Sequence, residues 1–296
     1  MNHAYLIMAH NEPELLRRLV CALDDYNNDI FIHWDKKSKI TIDMLGLLTT
    51  KSKLYFIELR NCYWGGYSQI NCEIQLLKKA ISEKNYDYYH LITGADLPIK
   101  PISEIHKYFE ENSGKEFIGY DNVANKSKNF LNRIDGYYFR FNILGRNIMD
   151  KFGIGKLLSR VICVIKGKRR IDDMIYMKGS VYFSITDALA RYVVRNEKEI
   201  KKRYSFTRCA DEIFLQTLAY NSSFCKNVTG YGQHYIDWSR HGSSPPIIDE
   251  GYYEILKNSN KMFARKFSYE RYPKIVEQVL NELVKTKSGA DKAAIR

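Results

Sequence analysis

No run of apolar residues in this chain reaches the length needed to cross a bilayer, so a membrane-spanning helix is not expected. The first apolar stretch, Met1-Asn-His-Ala-Tyr-Leu-Ile-Met-Ala-His10, lacks a basic lead and reads as a buried first strand rather than a signal peptide. The six cysteines, Cys21, Cys62, Cys72, Cys163, Cys209 and Cys225, include no Cys-x-x-Cys pair. Neither a disulfide framework nor a structural zinc site is therefore expected, and a reducing cytoplasm is the default compartment. Internal repeats and low-complexity segments are absent, and so is any Asp-x-Asp. The last absence bears on chemistry, because paired carboxylates are a common way of holding a divalent ion across a diphosphate.

What is present fits an α/β protein. The 296 residues, 45% hydrophobic and 27% charged, are enough for one large domain or two smaller ones. A formal charge of +12, from 46 basic and 34 acidic side chains, favours anionic partners such as nucleotide diphosphates, phospholipid head groups or nucleic acid. The tyrosines fall within strand and helix patterns instead of forming a basic stacking surface, and no known recognition module occurs, so nucleic acid is the weaker choice.

From Met1 to Tyr120 strand and helix signals alternate, the pattern of a mostly parallel, Rossmann-like sheet flanked by helices. Strands are expected at 4–8, 29–33, 53–58, 86–92 and 116–120. Helices are expected at 13–23, with Pro13 in the first turn, at 68–83, capped by Ser68, and at 101–110. Between about Asp121 and Met177 the pattern loosens, as in an insertion. A strand is expected again at 179–184, helices at 186–195 and 211–220, and an amphipathic C-terminal helix from Pro273.

Turns at the carboxyl ends of parallel strands are where such sheets bind ligands. Asp35, in Ile32-His-Trp-Asp-Lys-Lys-Ser38, is either a nucleoside contact or an ordinary turn aspartate. In Tyr63-Trp-Gly-Gly-Tyr-Ser68, Gly66 and the glycine before it permit close backbone approach, and Ser68 caps a helix whose start suits phosphate, although Gly-Gly turns are common. Asp96, in Thr93-Gly-Ala-Asp-Leu-Pro98, is a ligand contact or a local cap.

Further along, Glu212 opens the apolar-periodic stretch Ile213–Leu218 and reads as a base for an acceptor hydroxyl, with Asp211 complementing the helix dipole. Arg240, Arg265 and Lys266 are the cations available for a diphosphate, unless Phe263-Ala-Arg-Lys-Phe267 is a solvated basic face. Trp238, beside Asp237, is a platform for a sugar ring or a core residue. Residues 151–170 alternate basic and apolar positions, as in a membrane-surface helix or a basic loop lying on the protein.

Taken in order, Ile32-His-Trp-Asp-Lys-Lys-Ser38, Trp64-Gly-Gly-Tyr-Ser68, Thr93-Gly-Ala-Asp-Leu-Pro-Ile-Lys100, Lys178-Gly-Ser180, Asp211-Glu212, Tyr235-Ile-Asp-Trp-Ser239 and Phe263-Ala-Arg-Lys-Phe267 resemble the core-2/I-branching glycosyltransferase family, which also contains the peptide O-xylosyltransferases. The resemblance covers about residues 3 to 268. It implies a GT-A type fold in a single catalytic domain over 1–296: a nucleotide-sugar-binding half at about 1–120, an acceptor and catalytic half at about 121–270, and a C-terminal helix at 271–290. It implies an inverting transferase that uses a UDP-sugar and needs no metal or other cofactor. Glu212 is then the catalytic base, and Lys266 contacts the diphosphate, with Arg240 or the nearby Arg265 sharing that task. Asp35, Gly66, Ser68 and Asp96 fall where the family holds the nucleotide sugar.

The family's animal members carry a Golgi anchor, a stem and a disulfide pattern, none of which is expected for this chain. The resulting expectation is a bacterial enzyme of the cytoplasm, either free or peripheral on the inner face of the plasma membrane through residues 151–170. It would act on a glycan or lipid-linked glycan precursor of a surface polysaccharide. N-acetylglucosamine is the first expectation for the donor sugar, with xylose or another hexose as alternatives. From another class, a non-catalytic sugar-nucleotide or glycan-binding module remains a rival.

Overall fold

Strand β1 (His3–Ala9) is apolar along nearly its whole length because both of its faces are covered. Tyr5, Ile7 and Ala9 serve one core, and Ala4 and Leu6 the other. The computed structural model describes residues 1–58, 60–138, 161, 164, 174–239 and 244–285. Helix α1 (Pro13–Leu23) starts at proline and buries Leu15, Leu16, Leu19, Val20 and Leu23 on one stripe. Strands β2 (Asn28–Trp34) and β3 (Lys53–Phe56), helix α2 (Tyr67–Glu83) and strand β4 (Tyr88–Thr93) complete the first parallel array. Each aliphatic side chain withdrawn from water in this way stabilises the fold by roughly 1.5–3 kcal/mol.

The chain continues through β5 (Asp96–Pro98), α3 (Ile102–Glu111), β6 (Glu116–Tyr120) and the short helices α4 (Asn122–Ser127) and α5 (Asn132–Asp135). It re-enters as β7 (Gly179–Thr186), followed by α6 (Asp187–Arg195), α7 (Glu197–Tyr204), α8 (Phe214–Tyr220), β8 (Val228–Gly230) and β9 (His234–Ile236). Helix α9 (Tyr253–Lys257), strand β10 (Phe263–Arg265) and helix α10 (Pro273–Val279) close it.

The main sheet has the order β3-β2-β1-β4-β7-β6-β8 and is parallel except at β7, which runs against both β4 and β6. The expected mostly parallel sheet flanked by helices is thus what the chain forms. Residues of α1, α3 and α10 pack on one face of the sheet, and residues of α2, α6 and α8 on the other. A second sheet, β5-β10-β9, lies beside it.

Because β7 is antiparallel, its first residues meet the last residues of β6, with Gly179 opposite Tyr120. A Cβ at Gly179 would fall 1.7 Å from the Gly119 carbonyl oxygen, so only glycine permits this approach. Gly179 thereby sets Lys178 beside Asp121 at the carboxyl edge of the sheet.

Three expectations need correction. Gly66, not Ser68, is the N-cap of α2, and the Ser68 hydroxyl instead accepts the Tyr63 N–H at 2.8 Å. The stretch 211–220 is not one helix: Ala210–Glu212 forms a 3-10 turn, and Ile213, at φ −127°, breaks it from α8. The C-terminal helix is α-helical only to Val279 and widens to a π turn over Leu280–Val284. Residues 286–290, the whole expected membrane-surface stretch save positions 161 and 164, and Arg240 lie outside the described residues. Among the described residues no helix is long and apolar enough to cross a membrane.

Candidate active site

The turn after β2 is organised by Asp35. Its backbone N–H donates to the Ala9 carbonyl at 2.9 Å, tying the end of β2 to that of β1. Its carboxylate accepts the N–H of Lys37 at 2.8 Å and of Cys62 at 3.2 Å, and pairs with the Lys37 ammonium at 3.2 Å. Asp35 therefore acts as a turn residue that also fixes the loop leading to α2. His10, directly after β1, lies among the charges of Asp35, Lys266 and Lys37. Burial, with the two lysines adding and Asp35 opposing, holds its imidazole below the ordinary value. Sequence reasoning missed His10, although its place after a buried strand matches that of Asp35.

The turn before α2 depends on its glycines. Gly65 takes φ +74°, the left-handed region, and its N–H donates to the Gln69 side chain. The Gly65 carbonyl accepts the N–H of Cys209 at 2.8 Å. Cys209, itself left-handed at φ 49°, leads straight into the 3-10 turn that carries Glu212. Trp64, on the same turn, is half exposed.

Glu212 stands between two cations. Its Oε2 accepts from Arg133 of α5 at 2.5 Å and lies 3.6 Å from the Lys178 ammonium, which also reaches Asp121 at 3.0 Å. About a third of the Glu212 side chain remains exposed, so a hydroxyl has access to it. Burial pushes the Asp121 carboxyl up, but the Ala124 N–H and the Lys178 ammonium outweigh it and hold that carboxyl below its usual range. Sequence reasoning did not foresee Arg133, Lys178 or Asp121 as neighbours of Glu212; only the position of Lys178 beside the Gly-Ser motif pointed to one of them.

Asp211 does not complement a helix dipole. It is 8% exposed, its Oδ1 has no partner, and burial followed by the charge of Glu212 pushes its carboxyl up to about 7. Behind it lies Glu73 of α2, 1% exposed, with both oxygens unpartnered and a carboxyl raised by burial and then by Asp211. Cys62 links this region to Asp35: burial, then the Asp35 charge, pushes its thiol up to about 12, and Glu73 and Asp211 add to that.

The basic pair, Arg265 and Lys266, lies at the end of β10. Arg265 faces Asp96 across β10 and β5, with Nη1 3.6 Å from Oδ1 and the guanidinium 4.7 Å over the Tyr182 ring. Asp96 is fully buried and accepts from the Thr93 N–H at 2.7 Å and the Thr93 hydroxyl at 2.9 Å. Burial pushes its carboxyl up, yet Arg265, His234 and the Thr93 N–H hold it below the usual range. Of its two readings, the local cap is the one the geometry displays. Lys266 is half-buried; burial, then Arg265 and Arg271, draw its ammonium down, while Glu12 and Asp96 oppose them.

Asp237 accepts from the Ser239 N–H at 2.8 Å and the Tyr252 hydroxyl at 2.5 Å. The adjacent Trp238 is 53% exposed and so is not a core residue. Among the described residues, no group of three or more His, Cys, Asp or Glu side chains is placed to hold a metal ion. The structure thus brings Glu212 together with Arg133 and Lys178, and Lys178 with Asp121, while His10 feels the charges of Asp35 and Lys266.

This chain is 26% identical over 269 residues to xylosyltransferase sqv-6 of Caenorhabditis briggsae, covering 81% of the chain and 31% of that protein. It is 24% identical over 301 residues to the mouse N-acetyllactosaminide beta-1,6-N-acetylglucosaminyl-transferase, covering 93% of the chain and 70% of that protein. The chain therefore spans about a third of the length of the nematode protein and over two thirds of the mouse one. The galactosyltransferase LgtC, solved with donor and acceptor sugar analogs, superposes over 97% of this chain and 98% of its own at 8% identity, with a TM-score of 0.45, too low to carry weight. The model of the Core-2/I-Branching enzyme family matches residues 3–260, and the chain belongs to that family.

Proposed function

We propose that the protein is an inverting, metal-independent glycosyltransferase of the GT-A type, moving a sugar from a UDP-sugar to a hydroxyl of a glycan acceptor. N-acetylglucosamine is the preferred donor sugar and xylose the alternative, since the relatives' names include both transfers. The observation that carries the reading is Glu212, held by Arg133 and Lys178 on a turn bonded to Gly65, at the edge of the sheet where ligands bind.

In one in-line displacement the acceptor oxygen bonds to the anomeric carbon while the bond from that carbon to the diphosphate oxygen breaks. The hydroxyl proton passes to Glu212, and the electron pair leaves with UDP. Lys266 and an arginine, Arg240 or Arg265, neutralise the growing negative charge, which matters most where water is partly excluded. The turns of Asp35, Gly66, Ser68 and Asp96 frame the nucleotide sugar, and Trp238 with Asp237 offers a platform to the acceptor. The setting we propose is the cytoplasmic synthesis of a bacterial surface polysaccharide, with the acceptor carried on lipid or free.

The test is UDP release from a panel of UDP-sugars. Hydrolysis or transfer with one or two of them, UDP-N-acetylglucosamine first, is the expected result. Tight UDP binding with no release from any donor would instead favour a binding module, and no interaction with UDP at all would overturn the proposal.

A further inference from the structure

Glu12, the residue before α1, has φ 56° and ψ 56°. A side chain in this left-handed region costs on the order of 1–2 kcal/mol, so its surroundings must hold it there. Its carboxylate makes no cap bond to α1. It reaches across to the segment after β10, where it accepts from the Ser268 hydroxyl, from the Tyr269 N–H at 3.0 Å and from the Glu270 N–H at 3.2 Å. Both Glu12 and Ser268 are buried, so water does not replace these bonds cheaply.

Those three donors follow Lys266 and Phe267 directly. On its other sides the same segment is fixed by the Ile248 N–H on the Lys266 carbonyl at 2.8 Å and by the Phe267 N–H on the Ala95 carbonyl at 2.9 Å. Neither of those two bonds reaches the loop after β1, whereas Glu12 sits in it, two residues beyond His10. The Glu12 charge also opposes the burial that draws the Lys266 ammonium down.

We propose that Glu12 is a positioning residue: by gathering the turn 268–270 onto the loop after β1, it sets where the Lys266 ammonium meets the diphosphate of the donor. The inference rests on the function proposed above and adds a residue that acts through Lys266 without touching the ligand. A purely structural Glu12 would alter melting temperature without an effect that depends on Lys266.

The experiment is a double-mutant cycle on UDP binding by titration calorimetry, with melting temperatures alongside. Glu12→Gln, which keeps the shape but weakens the acceptor, should bind UDP roughly 10-fold more weakly than the unaltered protein. Lys266→Met should also bind weakly, and adding Glu12→Gln to it should cost nothing further. Unchanged UDP affinity in Glu12→Gln, or an equal loss in the Lys266→Met background, overturns the inference. If Glu12→Gln does not fold, Ser268→Ala, which removes one of the three donors, replaces it in the same cycle with the same two overturning outcomes. A protein that never binds UDP, or a Lys266→Met variant that binds it normally, removes the proposed function itself and the inference with it.

Discussion

The N–H of Cys209 donates to the carbonyl of Gly65 at 2.8 Å, joining two turns from opposite halves of the chain. One turn opens α2, where the backbone amides at a helix start suit phosphate. The other carries Glu212. If Glu212 is the base we propose, this hydrogen bond supplies part of its alignment with the donor, which a base on a separate loop would need to gain in another way.

Glu212→Gln preserves that turn and removes the proton acceptor. Turnover should fall by at least roughly 100-fold, the usual contribution of a positioned general base, while UDP affinity measured by calorimetry stays the same. Normal turnover in this variant rules Glu212 out as the base.

Gly179→Ala tests how Lys178 is placed. The added methyl would meet the Gly119 carbonyl at 1.7 Å, so β6 and β7 must part. Overpacking of this kind costs about 1–3 kcal/mol. Thermal unfolding should show a lowered midpoint, and transfer should drop more than UDP binding if Glu212, which Lys178 contacts, is the base we propose. An unchanged midpoint contradicts the steric argument.

Chelation probes the role of fixed cations. Transfer should persist in excess EDTA, and Lys266→Met should lose most activity under the same conditions. Activity abolished by EDTA and restored by manganese sinks the lysine and arginine account.

Asp211 predicts a pH dependence of stability. Unfolded, an aspartate titrates near ~3.9; folded, this one is pushed up to about 7 by burial and then by Glu212. Between those values the folded state binds the extra proton, so this contribution is fully present below the lower value and is lost as pH rises through the upper one. It amounts to a few kcal/mol at most, on the order of 1.4 per pKa unit. Glu116, pushed up to about 7 by burial, and Glu73 act in the same direction. Melting temperatures taken across this window should decline with pH less steeply in Asp211→Asn than in the unaltered protein, and parallel curves would contradict the prediction.

Strands β1, β2 and β4 were legible because burial on both faces makes them continuous apolar runs, and α1 because its leucines repeat at helical spacing. The second sheet was not, since β5, β9 and β10 are only three residues long and take their conformation from one another. The sequence places Glu212 at the start of a helix, yet the structure puts it in a 3-10 turn that follows a left-handed Cys209, which no local rule predicts. Its partners are Arg133 of α5 and Lys178, the residue before β7; Asp121, just after β6, pairs with Lys178 and not with Glu212, and the antiparallel return of β7 brings those two together. Asp211 was misjudged for a related reason: sequence shows a charge at a helix start but not the buried Glu73 behind it.

Tyr120 and Gly179 are register partners on adjacent strands, so the polypeptide departs from β6 and comes back to β7 at one spot. The length of what is strung between α5 and β7 is thereby uncoupled from the seating of Asp121 and Lys178. A change in the number of residues strung there should therefore leave the Asp121–Lys178 pair in place.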